Sequence, residues 1–331
     1  MTAISTLLLG VLSGTAGTFL VRRFALKYGI VNHPNPIVAQ HTMPVAYLGG
    51  IGIAIGIFIT LAVAGFPVPL RIALGAFLAL LLGTLDDLRP MSPRRKLAGQ
   101  LAVALVAVVC GLVLNIFESD LLNGALMVLA ITVLMNAFNL ADVSDGLDSL
   151  LIIIASIGLG VMGADWFLAL AVTGATFGFL LFNKPDASIF LGDAGSHLLG
   201  FMAAVLLFDP VHGSAGSDPS AWSMAGAVFC VGIPLFELAF LVVVRTAKGI
   251  PWFRGSPDHF ALRLQRRGFT KWSVLGVTLV SGVVLCALGI AVRAGDPVER
   301  ILVLVLVVIA ALIAGVALVR IDGDGTGREK H

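Results

Sequence analysis

Of the 331 residues, 58% are hydrophobic and only 12% are charged, and the mean hydropathy is +1.03. A soluble domain carries about 25% charged residues, so this composition excludes a water-soluble globule and defines an integral membrane protein with little mass outside the bilayer. A net charge of +2 is too small to point to nucleic acid, and the placement of the charges carries more than their sum.

A spanning helix needs about 20 mainly apolar residues. That ruler gives eleven candidate spans: 3–20, 48–65, 70–85, 97–117, 124–140, 150–162, 166–182, 196–208, 222–244, 273–292 and 301–319. The expected fold is therefore all-α and polytopic, with a single transmembrane domain over 1–320 and a short disordered cytoplasmic tail over 321–331. No basic residue precedes the first apolar run and no small-residue cleavage site follows it, so it reads as a retained helix. Cys110, Cys230 and Cys286 all fall in apolar runs without CxxC spacing, which reads as core packing and not as a disulfide or metal framework.

Lys and Arg set the orientation. With the N-terminus outside, 18 of the 21 basic residues fall on one side, and only Arg71, Arg293 and Arg300 fall on the other. The positive-inside rule makes the first side cytoplasmic, and the C-terminus with it. The cytoplasmic segments 21–47, 86–96, 142–149, 183–195 and 245–272 hold nearly all the residues able to do chemistry.

The first such group is Asp86-Asp87, at a helix end and followed by Arg94, Arg95 and Lys96. It could bind a metal and its phosphates, or simply be a helix terminus meeting water and headgroups. The second is NAFNLADVSDGLD, residues 136–148. Asn136 and Asn139, and then Asp142 and Asp145, are each three apart and share a stripe on a helical turn. An oxygen-rich set suits Mg²⁺ or Mn²⁺ and not zinc. A polar seam between helices would explain the Asn residues but not the acids. The third is FLGDAGSHLLG, where Asp193 sits between Gly192 and Gly195 at a helix start. Exposed backbone N–H groups there suit a cation and a diphosphate, unless Asp193 or Ser196 is only a cap. The fourth is the basic loop 245–272, with His259 beside Asp258. Its charge run reads as positive-inside charge. GGIGIAIG, residues 49–56, lies in a membrane span with no strand before it, so its glycines read as close helix packing and not as a dinucleotide loop.

Taken together and in order, these motifs resemble the polyprenyl-phosphate N-acetylhexosamine-1-phosphate transferase family (glycosyltransferase family 4). The resemblance rests on Leu85-Asp86-Asp87, on Asn136, Asn139, Asp142, Asp145 and Gly146, on Phe190 to Ser196, and on Pro257-Asp258-His259 with Arg263. An early pattern of Pro34, His41, Pro44, Gly49 and Gly50 accompanies them. The chain departs from the family pattern at Val143, where glycine is usual, and in the first loop, where Val38, Ala39, Ala46 and Tyr47 replace basic residues. It departs again at the histidine motif, which is reduced to His259 with Ala261 and Leu262 following.

The resemblance implies transfer of an N-acetylhexosamine-1-phosphate, GlcNAc-1-phosphate first among them, from a UDP-sugar to a polyprenyl phosphate. The products would be polyprenyl-diphospho-sugar and UMP, at the first membrane step of cell-wall or other envelope polysaccharide biosynthesis. It implies a multi-pass protein of the bacterial inner membrane with its site on the cytoplasmic face. Mg²⁺, with Mn²⁺ as the alternative, is the implied cofactor, held by Asp193 and Asn139. Asp86, Asp87, Asp142 and His259 are the implied catalytic residues. Lys96, Asn136, Asp145, Asn183, Phe190 and Arg263 are the implied substrate contacts, with Asp145, Asn183 and Phe190 around the uracil. Asp148 lies outside the family pattern and reads as solvated. A homodimer is compatible with this reading. A transporter or flippase, or a lipid-carrier-binding paralogue without catalysis, are the rival readings. Clustering of the acids at one face, with no repeat, argues against the transporter.

Overall fold

The computed structural model describes residues 1–32, 44–114, 116–212 and 221–323, the residues at 209–212, 221 and 322–323 by backbone only. Pro34, Val38, Ala39 and His41 of the first-loop pattern, and the tail from 324 on, lie outside the described residues. The described residues form thirteen α-helices and one two-stranded ribbon. In chain order these are α1 (Ala3–Tyr28), β1 (Val31–Asn32), β2 (Val45–Ala46), α2 (Gly49–Val63), α3 (Leu70–Leu88), α4 (Pro93–Val109), α5 (Asp120–Ala141) and α6 (Leu147–Val161). They continue as α7 (Trp166–Asn183), α8 (Gly192–His212), α9 (Ala221–Cys230), α10 (Gly232–Ala247), α11 (Phe260–Arg266), α12 (Lys271–Ala294) and α13 (Pro297–Gly323).

A helix lies over each of the eleven expected runs. Among the described residues, five helices are long and apolar enough to cross a membrane, or six if α9 and α10 count as one span. α2, α6 and the Gly192–Phe208 part of α8 are apolar but shorter. The chain is thus a helical membrane protein. Two boundaries differ from expectation. The run 222–244 is not one straight helix but a pair bent by 79° at Val231. The run 97–117 stays helical only to Val109, because Gly111 takes a positive φ of 95° and turns the chain out. Cys230 and Cys286 are buried and free as expected, whereas Cys110 is exposed.

The bundle closes through small residues, as helices in lipid do when apolar burial gives no net drive between them. On α3, the buried residues Gly75, Ala79 and Gly83 recur every four positions and form one stripe. That stripe lies on α8: a Cβ on Gly75 would strike the Phe201 ring, and one on Gly83 the backbone of Asp193 and Ala194. Gly10 and Gly14 of α1 meet α7 at Gly174 and Ala175, and Gly56 of α2 meets Gly14. The glycines of GGIGIAIG therefore serve packing. α6 and α8 sit at the centre, with most of α6 buried.

Candidate active site

The site forms where α3 and α5 end and α8 begins. At the end of α3, beyond its apolar run, Asp87 turns towards α8. Its Oδ1 accepts from the Asp193 N–H at 2.7 Å and its Oδ2 from the Ala194 N–H at 3.0 Å. These are free donors of α8's first turn, and an anion there also meets the positive end of the helix dipole. The cap on α8 therefore comes from another helix and not from Asp193 or Ser196. Gly192 makes it fit: its φ is +74°, and a Cβ would come within 2.6 Å of Asp87 Oδ2. The amides expected to be open to a diphosphate are thus partly taken by Asp87. Burial, only partly offset by the Ala194 N–H, pushes the Asp87 carboxyl up to about 7.

Lys96, near the start of α4, lies between two acids. Its Nζ is 2.6 Å from Asp193 Oδ2 and 2.9 Å from Asp86 Oδ2. Asp86 also accepts from the Met91 N–H at 2.5 Å, which folds the Arg89–Ser92 turn back towards the site. Asn139 of α5 donates to Asp193 Oδ1 at 2.5 Å and to Ser196 Oγ at 3.0 Å. Asp193 is the most open of the lysine's partners, with 28% of its side chain exposed against 7% for Asp86.

Asp142 caps the end of α5, its N–H donating to Phe138 O, while its carboxylate makes no hydrogen bond or ion pair among the described residues. Burial first, and then the charges of Asp193, Asp87 and Asp145, push its carboxyl up to about 8. Tyr47 is raised above its ordinary value by burial and then by Asp87, Asp142 and Asp193. Three motifs, at 86–87, 142–145 and 193, thus meet in space. A cavity of about 420 Å³ opens beside Asp87, lined by Ile30, Asn32 and Tyr47 among others. The chain from 44 to 50 is stitched to the Phe190 motif: Phe190 N–H donates to Ala46 O, and Gly49 and Gly50 N–H donate to Phe190 O and Leu191 O. Phe190 packs edge-on to Tyr47 at 6.0 Å between centroids.

Asp145 takes a different partner, Lys271 of α12, at 2.6 Å, and accepts from the Asp186 N–H at 3.2 Å. Asn183 holds the same corner from within: its Oδ1 accepts from Gly146 N–H and its Nδ2 donates to Ile189 O, both at 3.0 Å. Gly146 can begin α6 because its φ of +76° costs a glycine little. Asp148 is a correction to the sequence reading. It is 1% exposed, not solvated, and neither carboxylate oxygen has a partner. α6 dives into the bundle directly after Gly146 and takes Asp148 with it.

Asn136 is placed one turn below Asn139, away from the acids. It donates to Gln100 Oε1 at 2.5 Å. Gln100 in turn pairs with His197 Nε2 at 2.9 Å, and His197 Nδ1 meets Asp193 O at 2.7 Å. If Gln100 donates through its amide, His197 is neutral and donates from Nδ1 to the Asp193 carbonyl. Gln100 and His197 did not emerge from the sequence reading. Their signal was spacing, since each stands four residues after a charged site residue, Lys96 and Asp193, on the same helical face.

His259 and Arg263 belong to a separate cluster built on Glu237 and Asp258. Arg263 is 1% exposed and spends its guanidinium inside the chain. Nε and Nη2 donate to the carbonyl and carboxylate of Asp258, and Nη1 donates to Leu318 O of α13. The expected substrate contact is therefore a brace between the loop and the last helix. His259 Nδ1 pairs with Glu237 Oε1 at 2.8 Å, and Glu237 Oε2 accepts from Phe260 N–H at 3.3 Å. Glu237, 0% exposed on α10, was also missed. An acid inside an apolar span is the signal that marks it.

The donor set around Asp193 is oxygen-rich and suits a hard divalent cation. Among the described residues no three Asp, Glu, His or Cys side chains converge as a ready-made cage. Such a set fits Mg²⁺ in the way it is usually held, by one or two carboxylates with water and substrate phosphates completing the shell.

Fold and site together define a multi-pass helical membrane protein with a carboxylate–lysine centre at one end of its bundle, suited to handling phosphates. A family model for glycosyl transferase family 4 matches residues 70–210, which takes in the ends of all three converging motifs. The chain is 31% identical over 283 residues to a probable undecaprenyl-phosphate N-acetylglucosaminyl 1-phosphate transferase of Bacillus subtilis (strain 168), covering 80% of this chain and 77% of that one. It is 28% identical over 330 residues to the undecaprenyl-phosphate alpha-N-acetylglucosaminyl 1-phosphate transferase of Escherichia coli O157:H7, covering 91% and 87%. A putative glycosyltransferase of Streptomyces coelicolor is 31% identical over 299 residues, covering 83% and 66%. The chain belongs to glycosyl transferase family 4.

Proposed function

We propose that this protein transfers an N-acetylhexosamine-1-phosphate, with GlcNAc-1-phosphate first among the candidates, from a UDP-sugar to a polyprenyl phosphate. An oxygen of the acceptor phosphate bonds to the donor's β-phosphorus, and the bond from that phosphorus to the bridging oxygen breaks. UMP leaves and a polyprenyl-diphospho-sugar remains. The observation that carries this reading is the meeting of Asp87, Asp142 and Asp193 at the ends of membrane helices, with Lys96 paired to Asp193 and Asp86 beside them. There a lipid phosphate can arrive between helices and a nucleotide sugar from water.

Phosphoryl transfer depends on positioning and on neutralising charge. Asp193, with Asn139 beside it, would hold Mg²⁺. When bound, the ion would screen the donor and acceptor phosphates from each other. Lys96 would neutralise charge on the diphosphate beside a cation held at Asp193. Asp86 and Asp87 hold Lys96 and the start of α8 in register. Asp142, without a protein partner, is the acid left to face the phosphates. Asp145, Asn183 and Phe190 frame the pyrimidine, and His259 meets the anionic nucleotide. In this reading the chain has eleven spans, with the N-terminus outside and the site and C-terminus on the cytoplasmic side of a bacterial inner membrane.

The test is direct. Purified protein with Mg²⁺, polyprenyl phosphate and radiolabelled UDP-N-acetylglucosamine should release UMP and yield labelled lipid. No UMP and no lipid-linked sugar from a panel of UDP-sugars would refute the reading.

A further inference from the structure

An acid in the apolar half of α10 is costly unless it is paired, and Glu237 is fully buried. Both of its oxygens are used on one target, the junction of the basic loop with α11. Oε1 meets His259 Nδ1 at 2.8 Å and Oε2 takes the Phe260 N–H, the first of the free N–H groups of α11, at 3.3 Å. A carboxylate accepts and never donates when ionised. It therefore requires the proton of His259 to sit on Nδ1. The other ring nitrogen, Nε2, has no partner among the described residues and is not among the sealed, unpartnered polar atoms. The ring, 7% exposed, is thus held by one edge, and its Nε2 edge is left without a hydrogen bond among the described residues.

The surroundings fix the rest of the loop. Arg245, two turns after Glu237 on α10, donates to Ser256 Oγ and Trp252 O, both at 2.9 Å. Arg263 grips Asp258 at 2.7 Å and so fixes the residue before the histidine. Lys248 pairs with Asp258 at 2.6 Å. Each contact orders backbone on either side of His259, but Glu237 is the group that touches the ring. The motif in this chain holds a single histidine, with Ala261 and Leu262 after it. One ring then does what several could share, and its tautomer matters correspondingly.

We propose that Glu237 is a positioning residue for the transfer reaction: it locks His259 with its Nδ1 proton held, so that Nε2 is the edge presented to the anionic nucleotide sugar. The role of His259 in this statement rests on the function proposed above. The carboxylate–imidazole contact does not. Carboxylates that orient a metal-binding histidine typically matter 10–100-fold, and the same scale is expected for a histidine oriented towards an anionic substrate.

Glu237→Leu, Glu237→Gln, His259→Ala and the Glu237→Leu/His259→Ala double variant separate the alternatives. Leucine keeps the apolar span packed but cannot accept a proton. Glutamine can still accept from Nδ1–H. We expect Glu237→Leu to lower kcat/KM for UDP-N-acetylglucosamine about 10–100-fold. The double variant should be no worse than His259→Ala, and Glu237→Gln should keep most of the activity. Side-chain ¹⁵N NMR of histidine-labelled protein, with the His259 signal assigned by its loss in His259→Ala, should show the Nδ1–H form in the wild type and in Glu237→Gln but not in Glu237→Leu. Additive losses in the double variant, or a His259 proton distribution unchanged by Glu237→Leu, would overturn the proposal. If Glu237→Leu does not fold, a wild-type His259 carrying its proton on Nε2 overturns it just as well. A wild type that transfers no sugar, yet shows the Glu237-dependent tautomer, defeats the proposed function and leaves the contact standing.

Discussion

The contact that most directly sets the site is the approach of Gly83 to the start of α8. A Cβ there would lie 2.1 Å from Asp193 O and 2.5 Å from Ala194 N, all of it backbone that cannot swing aside. Restoring ordinary contact at 3.4 Å requires α3 and α8 to separate by about 1.3 Å. Asp87 rides on α3 one turn further on. Its bonds of 2.7 and 3.0 Å to the Asp193 and Ala194 amides would stretch to about 4 Å, beyond any hydrogen bond. Each bond to a charged acceptor contributes about 1.5–3 kcal/mol, and an ångström of misplacement at a reacting centre costs about 100-fold in rate. Gly83→Ala should therefore lower kcat about 100-fold and lower the apparent Tm. Gly99→Ala is the matched control. Its Cβ would come within 2.4 Å of Leu82 Cδ1, the far end of a flexible side chain that can turn away. It should keep activity within about threefold, because rotamer adjustment costs only about 0.5–1.5 kcal/mol. UMP release and detergent-phase thermal melts measure both. Wild-type kcat in Gly83→Ala, or an equal loss in Gly99→Ala, would refute the argument that backbone contact at this point places Asp193.

Asp193→Asn should abolish turnover while the protein stays folded, and full activity in that variant would remove Asp193 as the cation's ligand. Lys96→Met leaves Asp86 and Asp193 without their shared counter-ion. It should tighten Mn²⁺ binding in the absence of substrate, read by electron paramagnetic resonance, and still lose turnover. Weaker Mn²⁺ binding would contradict this. For Asp142, the folded pKa of about 8 lies above the unfolded value, so the folded state binds the extra proton. Its contribution is full at acid pH and is lost as pH rises towards 8. The apparent Tm of cation-free protein should fall from pH 6 to pH 9, and Asp142→Asn should flatten that slope. A Tm that rises over this range would count against the carboxylate crowding. Asp148→Ala removes a buried acid with no partner, and unpaired buried polar groups cost about 1–3 kcal/mol. It should raise the apparent Tm, and a lower Tm would show that Asp148 has a partner in solution.

The parts of the site legible in the sequence were those written at helical spacing along one element. Asn136 and Asn139 stand one turn apart on α5 as the spacing requires, and Asp86-Asp87 and Asp193 mark helix ends, but α5 stops at Ala141, so Asp142 and Asp145 leave the helical stripe and Asp145 turns to Lys271 instead. The membrane class followed from composition alone. Where two elements must meet, the sequence is silent about the partner. Nothing in Asp87 says that it caps α8, since the cap depends on Gly83 and Gly192 clearing the way. Arg263 is a substrate contact only by what the family resemblance implies. Its partners, Asp258 and Leu318 O, emerge only once α13 packs behind the loop. The bend at Val231 was written in Gly232 and Pro234, since proline is tolerated in a helix's first turn but not in its interior, and hydropathy alone passes over that signal.

Glu237 and Asp148 show why a buried acid cannot be judged from hydropathy alone. Both are fully or nearly fully buried, and both lie in or beside apolar helices. Glu237 has a ring N–H and a backbone N–H to neutralise it, so its burial gains a fixed geometry for His259. Asp148 has neither, although it sits in the first turn of α6, where the helix dipole favours an anion. That dipole is worth about 0.3–1 kcal/mol at a surface site, less than the 1–3 kcal/mol of an unsatisfied buried group. The dipole alone therefore does not offset the burial. Two acids with the same hydropathy and similar burial thus lead to opposite expectations. Replacing Glu237 with leucine should cost activity through a neighbour, whereas replacing Asp148 with alanine should stabilise the fold.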